Sequence, residues 1–446
     1  MYDTASASPV MSAEGFAQQA EPLLRALAPS PEAASRRPRG RPEEVASGQL
    51  WLGLLLCLLR GLHHQRDLWR LISWEGFWHF APTPVCDQAI YKRLAHEGLG
   101  ALAQLWLGLS RLLAERLAPY AQTTLAPFAK GIFALDETIL DPVARLLAPL
   151  RALPPGDPGL LPGKIAALFD VRLQQWRDFR FLPDAAENCK VHAQNLLRTV
   201  VQGSLLLFDR GYFSFPWFDA LSRQGYWWIS RWREKTRYQI VHVYYQHGET
   251  FDGLIWLGAT RDQAACAVRL VQFRLGSTLY RYLTNVRDPL ALSLADIARL
   301  YARRWDIELA FRLLKEHLGL RFLFSAKLLV IQQQCLACLL FAQLLQAFQV
   351  ELAARAQVDP FDISLPLLLK ALPLLMRRRQ DPMTLLLAHG QQMGIIRPST
   401  RKRLEPPIIP VWQVVFPPDD LILVRQARYA HSNPSHGKRH SRAGPI

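Results

Sequence analysis

Residues 301–319 read YARRWDIELAFRLLKEHLG. The apolar spacing is helical, because Ile307, Ala310, Phe311, Leu314 and Leu318 recur every three or four residues and form one face. At about 100° per residue, Tyr301, Arg304, Glu308 and Lys315 fall within roughly 60° of one another on the adjoining face. Arg312 and Trp305 flank that stripe on its other side. An ordinary solvated helix mixes signs into i,i+4 pairs, and Arg304 with Glu308 could be no more than one of these. Yet the stripe is net positive around a single carboxylate. Such surroundings keep Glu308 ionised and set phosphate-binding groups beside it.

One carboxylate does little alone, so the next question is which others could join it. IFALDET reads as a strand ending in acids at Asp136, and SLLLFDRGY reads as a buried strand ending at Asp209 before a glycine turn. Each acid follows apolar residues, which places it at the edge of a core. Buried carboxylates are costly, and a divalent cation with its preference for hard oxygen ligands is one way to compensate them. Acids at strand ends also serve as turn formers and caps, and that plainer role stays open for both.

Around these residues the pattern changes several times. Residues 1–42 are rich in Ala, Ser, Pro and Arg and are expected to be a disordered basic arm. Within it Arg39-Gly40-Arg41-Pro42 is either a hook for an A·T-rich minor groove or a charged linker. Residues 43–125 read as helical throughout. Gln88, Tyr91, Lys92 and Arg93 lie on a helix there that suits either a helix-turn-helix DNA reader or a plain bundle with a wet basic face. From about 126 to 330 strands and helices alternate around a Pro/Gly-rich loop at 153–163, and residues 226–286 read as antiparallel strands. A helical region is expected over 331–424 and an unfolded basic tail over 425–446.

The order Tyr301-x2-Arg304-x3-Glu308-x6-Lys315 is similar to the motif of the cut-and-paste bacterial transposases of the insertion sequence 4 family. Asp136-Glu137-Thr138 resembles the setting of their first catalytic acid, and Asp209-Arg210-Gly211-Tyr212 that of their second. The resemblance runs from about 130 to 330. It implies an α/β, ribonuclease-H-like mixed-sheet catalytic core with a β-rich insertion at about 216–278, flanked by N-terminal and C-terminal helical regions. It further implies that Asp136, Asp209 and Glu308 are catalytic and hold two Mg²⁺ ions, with Mn²⁺ able to substitute. Those ions would serve an in-line displacement at phosphorus. Arg304, Lys315 and Arg210 are implied to contact DNA, Tyr301 to steer the strand, and Trp305 to hold an extruded base. One of Trp227, Trp228, Trp232 and Trp256 is a candidate second partner for that base, although strand-core packing accounts for most of them. The implied reaction nicks the element's ends, passes through a hairpin and joins the ends to target DNA, as a homodimer on double-stranded DNA.

Composition agrees with a polyanionic partner. Of 446 residues, 53 are Lys or Arg against 37 Asp or Glu, a formal charge of +16. Arg231, Arg233, Lys235 and Arg237, then Arg377 to Arg379, Arg401 to Arg403, and Lys438 with Arg439 form basic groups able to track a duplex. The apolar run at 326–348 is long enough to span a bilayer, but Gln332, Gln333, Gln334, Gln343 and Gln346 mark it as a core helix. No signal peptide is visible, and six scattered cysteines, including the CLAC pair Cys335 and Cys338, read as thiols of a reducing cytoplasm. The expectation is a soluble cytoplasmic protein with no membrane segment. A metal-dependent nuclease that cuts without joining, an idle DNA-binding derivative and a membrane-surface protein are the competing readings.

Overall fold

The computed structural model describes residues 44–140, 163–182 and 189–429, apart from positions 63, 78, 79, 260, 261, 322, 326, 378–380 and 402. The RGRP segment, most of the 153–163 loop, Arg378, Arg379 and the basic tail lie outside the described residues. In chain order the elements begin with helices α1 (Ser47–Leu59), α2 (Gln65–Arg70), α3 (Asp87–His96) and α4 (Gly100–Leu117). Strands β1 (Ile132–Ile139), β2 (Lys164–Asp170) and β3 (Gln175–Leu182) follow, then α5 (Cys189–Leu196), β4 (Leu205–Phe208), α6 (Phe215–Arg223) and β5 (Trp227–Arg231). Next come β6 (Tyr238–His247), β7 (Thr250–Leu257), β8 (Val268–Leu275) and β9 (Thr278–Thr284). Helices α7 (Leu294–Ala302), α8 (Trp305–Arg312), α9 (Leu328–Ala356), α10 (Leu365–Arg377) and α11 (Pro382–His389) complete the chain. This is a mixed α/β protein.

Two compact units, each discontinuous in sequence, share these elements. The first comprises Met1–Leu125, Phe133–Thr199 and Trp305–Lys402; the second comprises Ala126–Ile132, Val200–Arg304 and Arg403–Ile446.

In the first unit, β2 pairs antiparallel with β1 on one side and β3 on the other, with Asp136 opposite Ala167. Its organising element is α9, apolar all round and therefore buried. By length and composition this helix could cross a bilayer, but 72% of its apolar window is buried inside the protein. Its glutamines supply the polar links of the core, as the sequence suggested. Gln333 Nε2 donates to the carbonyls of Leu94 and Glu97 (2.9 and 2.6 Å), and Gln343 Nε2 donates to the Trp176 carbonyl (2.9 Å). Gln349 Nε2 donates to the Pro360 and Ile363 carbonyls (2.7 and 3.2 Å). Buried amides with partners fix the register of the helix against its neighbours without the cost of an orphaned polar group.

The N-terminal helices pack on α9 with a different connection from the tight turn of a helix-turn-helix. α2 relaxes into a π turn at Leu71–Glu75, and an irregular stretch containing Gly76, Pro82 and Pro84 leads to α3. Thr83 N–H bonds to the Ile72 carbonyl there, and Trp69 Nε1–H to the Val85 carbonyl.

In the second unit the strand order is β4-β5-β9-β8-β7-β6. β4 and β5 are parallel and joined through α6, whereas the remaining neighbours are antiparallel. The expected run of antiparallel strands over 226–286 is therefore present, and β4 adds one parallel neighbour at its edge. β4 is a continuous apolar run buried along its length, and its return by way of a helix requires a parallel partner. Trp228 is fully buried and stacks on Phe218 at 4.3 Å under this βαβ unit.

Two further expectations are corrected. Residues 403–429 are not unfolded, and apart from a short 3₁₀ turn at Val411–Gln413 they are not helical. Pro406, Pro407, Pro410, Pro417 and Pro418 exclude a helix, and the segment lies extended along the second unit. Val415 N–H bonds to the Tyr244 carbonyl, Ala267 N–H to the Leu423 carbonyl, and Gln263 and Arg428 exchange both backbone bonds. The predicted long helix at 294–319 is also not continuous. It breaks at Arg303 and Arg304, where the chain passes between units, and its last turn widens to a π turn at Leu313–His317.

Candidate active site

The predicted site residues divide between the units. Asp136, Trp305, Glu308 and Lys315 belong to the first, and Asp209, Arg210, Tyr301 and Arg304 to the second. With a break between Tyr301 and Glu308, the uniform 100° arithmetic holds within each helix but not across the whole motif.

In the first unit Asp136 lies inside β1, not at its end, and is half-buried with Oδ1 accepting the N–H of Glu137 (2.8 Å). The strand continues to Ile139 because β2 supplies partners past the acid, up to Lys164 opposite Ile139. Glu137 projects to the other face, where Lys164 Nζ meets its Oε2 at 2.7 Å. Glu308 is half-buried on α8, whose Ile307, Ala310 and Phe311 pack into the core. Phe311 meets Trp176 of β3 with ring centroids 5.1 Å apart, which ties α8 to the β2–β3 hairpin. Trp305 opens α8 and is 45% exposed, as a residue offered to a ligand would be. Lys315 sits in the π turn, half-buried.

In the second unit Asp209 follows β4 directly. Its Oδ1 accepts the N–H of Gly211 (2.8 Å) and caps the short turn Arg210–Tyr212. A Cβ at 211 would stand 2.9 Å from that carboxylate oxygen, so a larger residue there would push the Asp209 side chain aside. Arg210 is exposed. Tyr301 packs its ring against Tyr282 (4.8 Å), and the Arg304 guanidinium lies 5.9 Å from the Tyr301 ring. Burial pushes the Tyr301 hydroxyl up to about 12; Arg304 and Arg231 oppose the rise and Asp209 adds to it. Asp209, Arg231 and Arg304 thus all act electrostatically on the Tyr301 hydroxyl. Arg231 could have been found from the sequence only by knowing that β5 runs parallel to β4, which sets Ser230 level with Phe208.

Other expectations sort themselves by exposure. Trp228 and Trp232 are core residues, Trp256 lies under the Arg425 guanidinium at 4.6 Å, and Trp227 is 36% exposed with its ring edge-on to Phe128. Arg231, Arg233, Lys235 and Arg237 are all exposed, as a phosphate-tracking group would be. On α3, Gln88 and Lys92 are exposed and Tyr91 is half-buried. Arg93 is instead structural: it donates to Ser47 Oγ (2.8 Å) and pairs with Glu97 (3.0 Å). Cys335 and Cys338 are buried, burial pushes the Cys335 thiol up to about 12, and Cys338 Sγ–H donates to the Leu318 carbonyl. They are core thiols.

The oxygen donors at positions 136, 209 and 308 are of the kind a hard divalent cation takes. Among the described residues, no three His, Cys, Asp or Glu side chains are grouped so that they could hold a metal ion.

Comparison with known proteins bears on the same stretch. Residues 163–344 match the transposase DDE domain family, a span that contains Asp209, Tyr301, Arg304, Glu308 and Lys315 but begins after Asp136. A protein of Sinorhizobium fredii named "Putative transposase y4zB" is 28% identical over 145 residues, 30% of this chain. The match covers only 40% of that relative's length. The strand-end acid, the acid-bearing helix and its flanking cations thus lie within a stretch matched as a unit, and over residues 163–344 the chain is similar to a DDE transposase domain.

Proposed function

We propose that this protein is a transposase of the insertion sequence 4 kind, acting in the bacterial cytoplasm on double-stranded DNA. It cuts at the ends of its element and joins the freed 3′ ends to a target, through a hairpin intermediate. The observation that carries the reading is the DDE transposase match over 163–344, within which Asp209 ends a strand and Glu308 stands on a helix. The catalytic core is read as ribonuclease-H-like, with Asp136, Asp209 and Glu308 as its carboxylates and a homodimer as the working form.

Mg²⁺, with Mn²⁺ as a substitute, would be held by these three carboxylates and would supply Lewis-acid activation at phosphorus. The chain's own side chains do the rest. Arg304 and Lys315, with Arg210, hold phosphate oxygens. Tyr301 keeps its proton at any physiological pH and so offers a hydroxyl donor to the strand. Trp305, exposed at the start of α8, provides a face for an unstacked base. The N-terminal helices, with Gln88, Tyr91 and Lys92 on α3, are assigned to recognition of the element's ends.

The test is cleavage and joining of labelled end DNA. Glu308→Gln should lose Mg²⁺-dependent cleavage and keep end binding, while the wild-type chain yields strand-transfer product. Cleavage without transfer would favour a nuclease. Binding without cleavage by the wild type would favour an idle derivative.

A further inference from the structure

Two residues ahead of Glu308 lies Asp306, whose side chain is fully buried. Both of its oxygens are engaged. Oδ1 pairs with Arg401 Nη1 at 2.7 Å, and Oδ2 accepts from Gln174 Nε2 at 2.9 Å. The two partners come from different places. Gln174 sits in the β2–β3 turn with a positive φ of 54°, and its amide also donates to the Val171 carbonyl (2.8 Å). Arg401 belongs to the segment after α11, with its guanidinium 4.4 Å from the Phe361 ring. That segment is itself held, because Arg397 N–H bonds to the Asp362 carbonyl and Ser399 N–H to Asp362 Oδ1, both 2.8 Å.

A buried ion pair is a poor device for stability, since apolar groups of similar volume do as well or better. It is a good device for fixing one element against another. Positions 306 and 308 stand about 200° apart around α8, so a grip on the buried side leaves Glu308 presented on the other. The grip reaches β2, the strand paired with Asp136-bearing β1.

We infer that Asp306, clamped between Gln174 and Arg401, is a positioning residue that holds α8, and with it Glu308, at a fixed place against the strands carrying Asp136. The role rests on Glu308 being a working carboxylate, as proposed above. Residues 397–401 thereby become part of the active-site scaffold, although they lie beyond the segment matched to the transposase DDE domain.

The experiment compares Asp306→Asn, Arg401→Gln and Arg401→Lys with the wild type and Glu308→Gln in the full chain. The readouts are end-DNA affinity, single-turnover cleavage and backbone hydrogen exchange. Asp306→Asn and Arg401→Gln should bind end DNA as the wild type does yet cleave on the order of ten- to a hundred-fold more slowly, the cost of a misplaced group. Arg401→Lys keeps a cation for Oδ1 but loses the planar group against Phe361, so it should recover part of the rate. Amides of 305–312 should exchange faster in the two damaging variants while those of the buried part of α9 do not. Wild-type cleavage rates in folded Asp306→Asn and Arg401→Gln would overturn the positioning role. Unchanged exchange in α8 would overturn the clamp, whether or not the chain cleaves DNA. A wild-type chain that does not cleave, or a Glu308→Gln variant that does, would instead sink the functional reading on which the inference rests. Arg401, at 22% side-chain exposure, is the safer site should Asp306→Asn not fold.

Discussion

Asp170, at the end of β2, offers a sharp test of how burial and hydrogen bonding compete in the first unit. Its Oδ1 accepts the N–H groups of Arg172 and Leu173, each at 2.9 Å, and shapes the turn into β3. Burial nevertheless dominates, and the carboxyl is pushed up from 3.8 to about 6 despite those donors and the nearby Arg177 and Arg172. The folded state therefore holds the proton more tightly than the unfolded one. Stability from this group is complete below the unfolded value and is lost as pH rises through about 6. A shift of that size corresponds to a total loss of about 3 kcal/mol, of which ~2 kcal/mol falls between pH 4 and pH 7.5. Asp170→Asn keeps the acceptor and the shape but cannot ionise. Its stability relative to the wild type should thus rise by about 2 kcal/mol from pH 4 to pH 7.5, roughly 2 °C in Tm for a protein of this size. Thermal or urea unfolding of both chains at the two pH values gives the difference directly. An equal difference at both pH values, or a variant that loses ground as pH rises, would refute the reasoning.

Two other outcomes follow from the same physics. Arg269 and Asp252 form a buried bidentate pair at 2.7 and 2.6 Å, with Arg269 Nη1 also donating to the Leu292 carbonyl. Arg269→Met should cost about 3–5 kcal/mol by stranding Asp252, and adding Asp252→Leu should restore part of it; a double variant worse than the single would contradict this. Iodoacetamide should label exposed Cys86 in the native protein and reach Cys335 and Cys338 only on unfolding, read by mass spectrometry.

Much of this architecture is legible without coordinates because it rests on strong periodicity. The strands around Asp136 and Asp209, the core helix with its glutamines and the β-rich run all follow from local pattern. What the pattern misreads is decided by partners distant in the chain. Asp136 appears to end a strand until β2 supplies partners up to Ile139. The helix at 301–319 has no local reason to break at Arg303 and Arg304, since both residues are good helix formers; the chain changes unit there. Arg93, counted among DNA-facing residues, is taken by Ser47 and Glu97. Asp306 was invisible as anything but one acid among cations, because its meaning depends on Gln174 and Arg401, the second of which lies 95 residues away.

The extended segment at 403–429 also says something about how the protein is made. Tyr429 O–H meets the buried carboxylate of Asp219 at 2.7 Å across 210 residues of sequence, and Arg425 reaches the carbonyls of Leu257, Gly258 and Ala264. Strands β4 to β9 therefore emerge from the ribosome long before the segment that completes their hydrogen bonding. Translation halted between them would leave a sheet without its closing segment, and the nascent chain waits on its own later residues to finish the second unit.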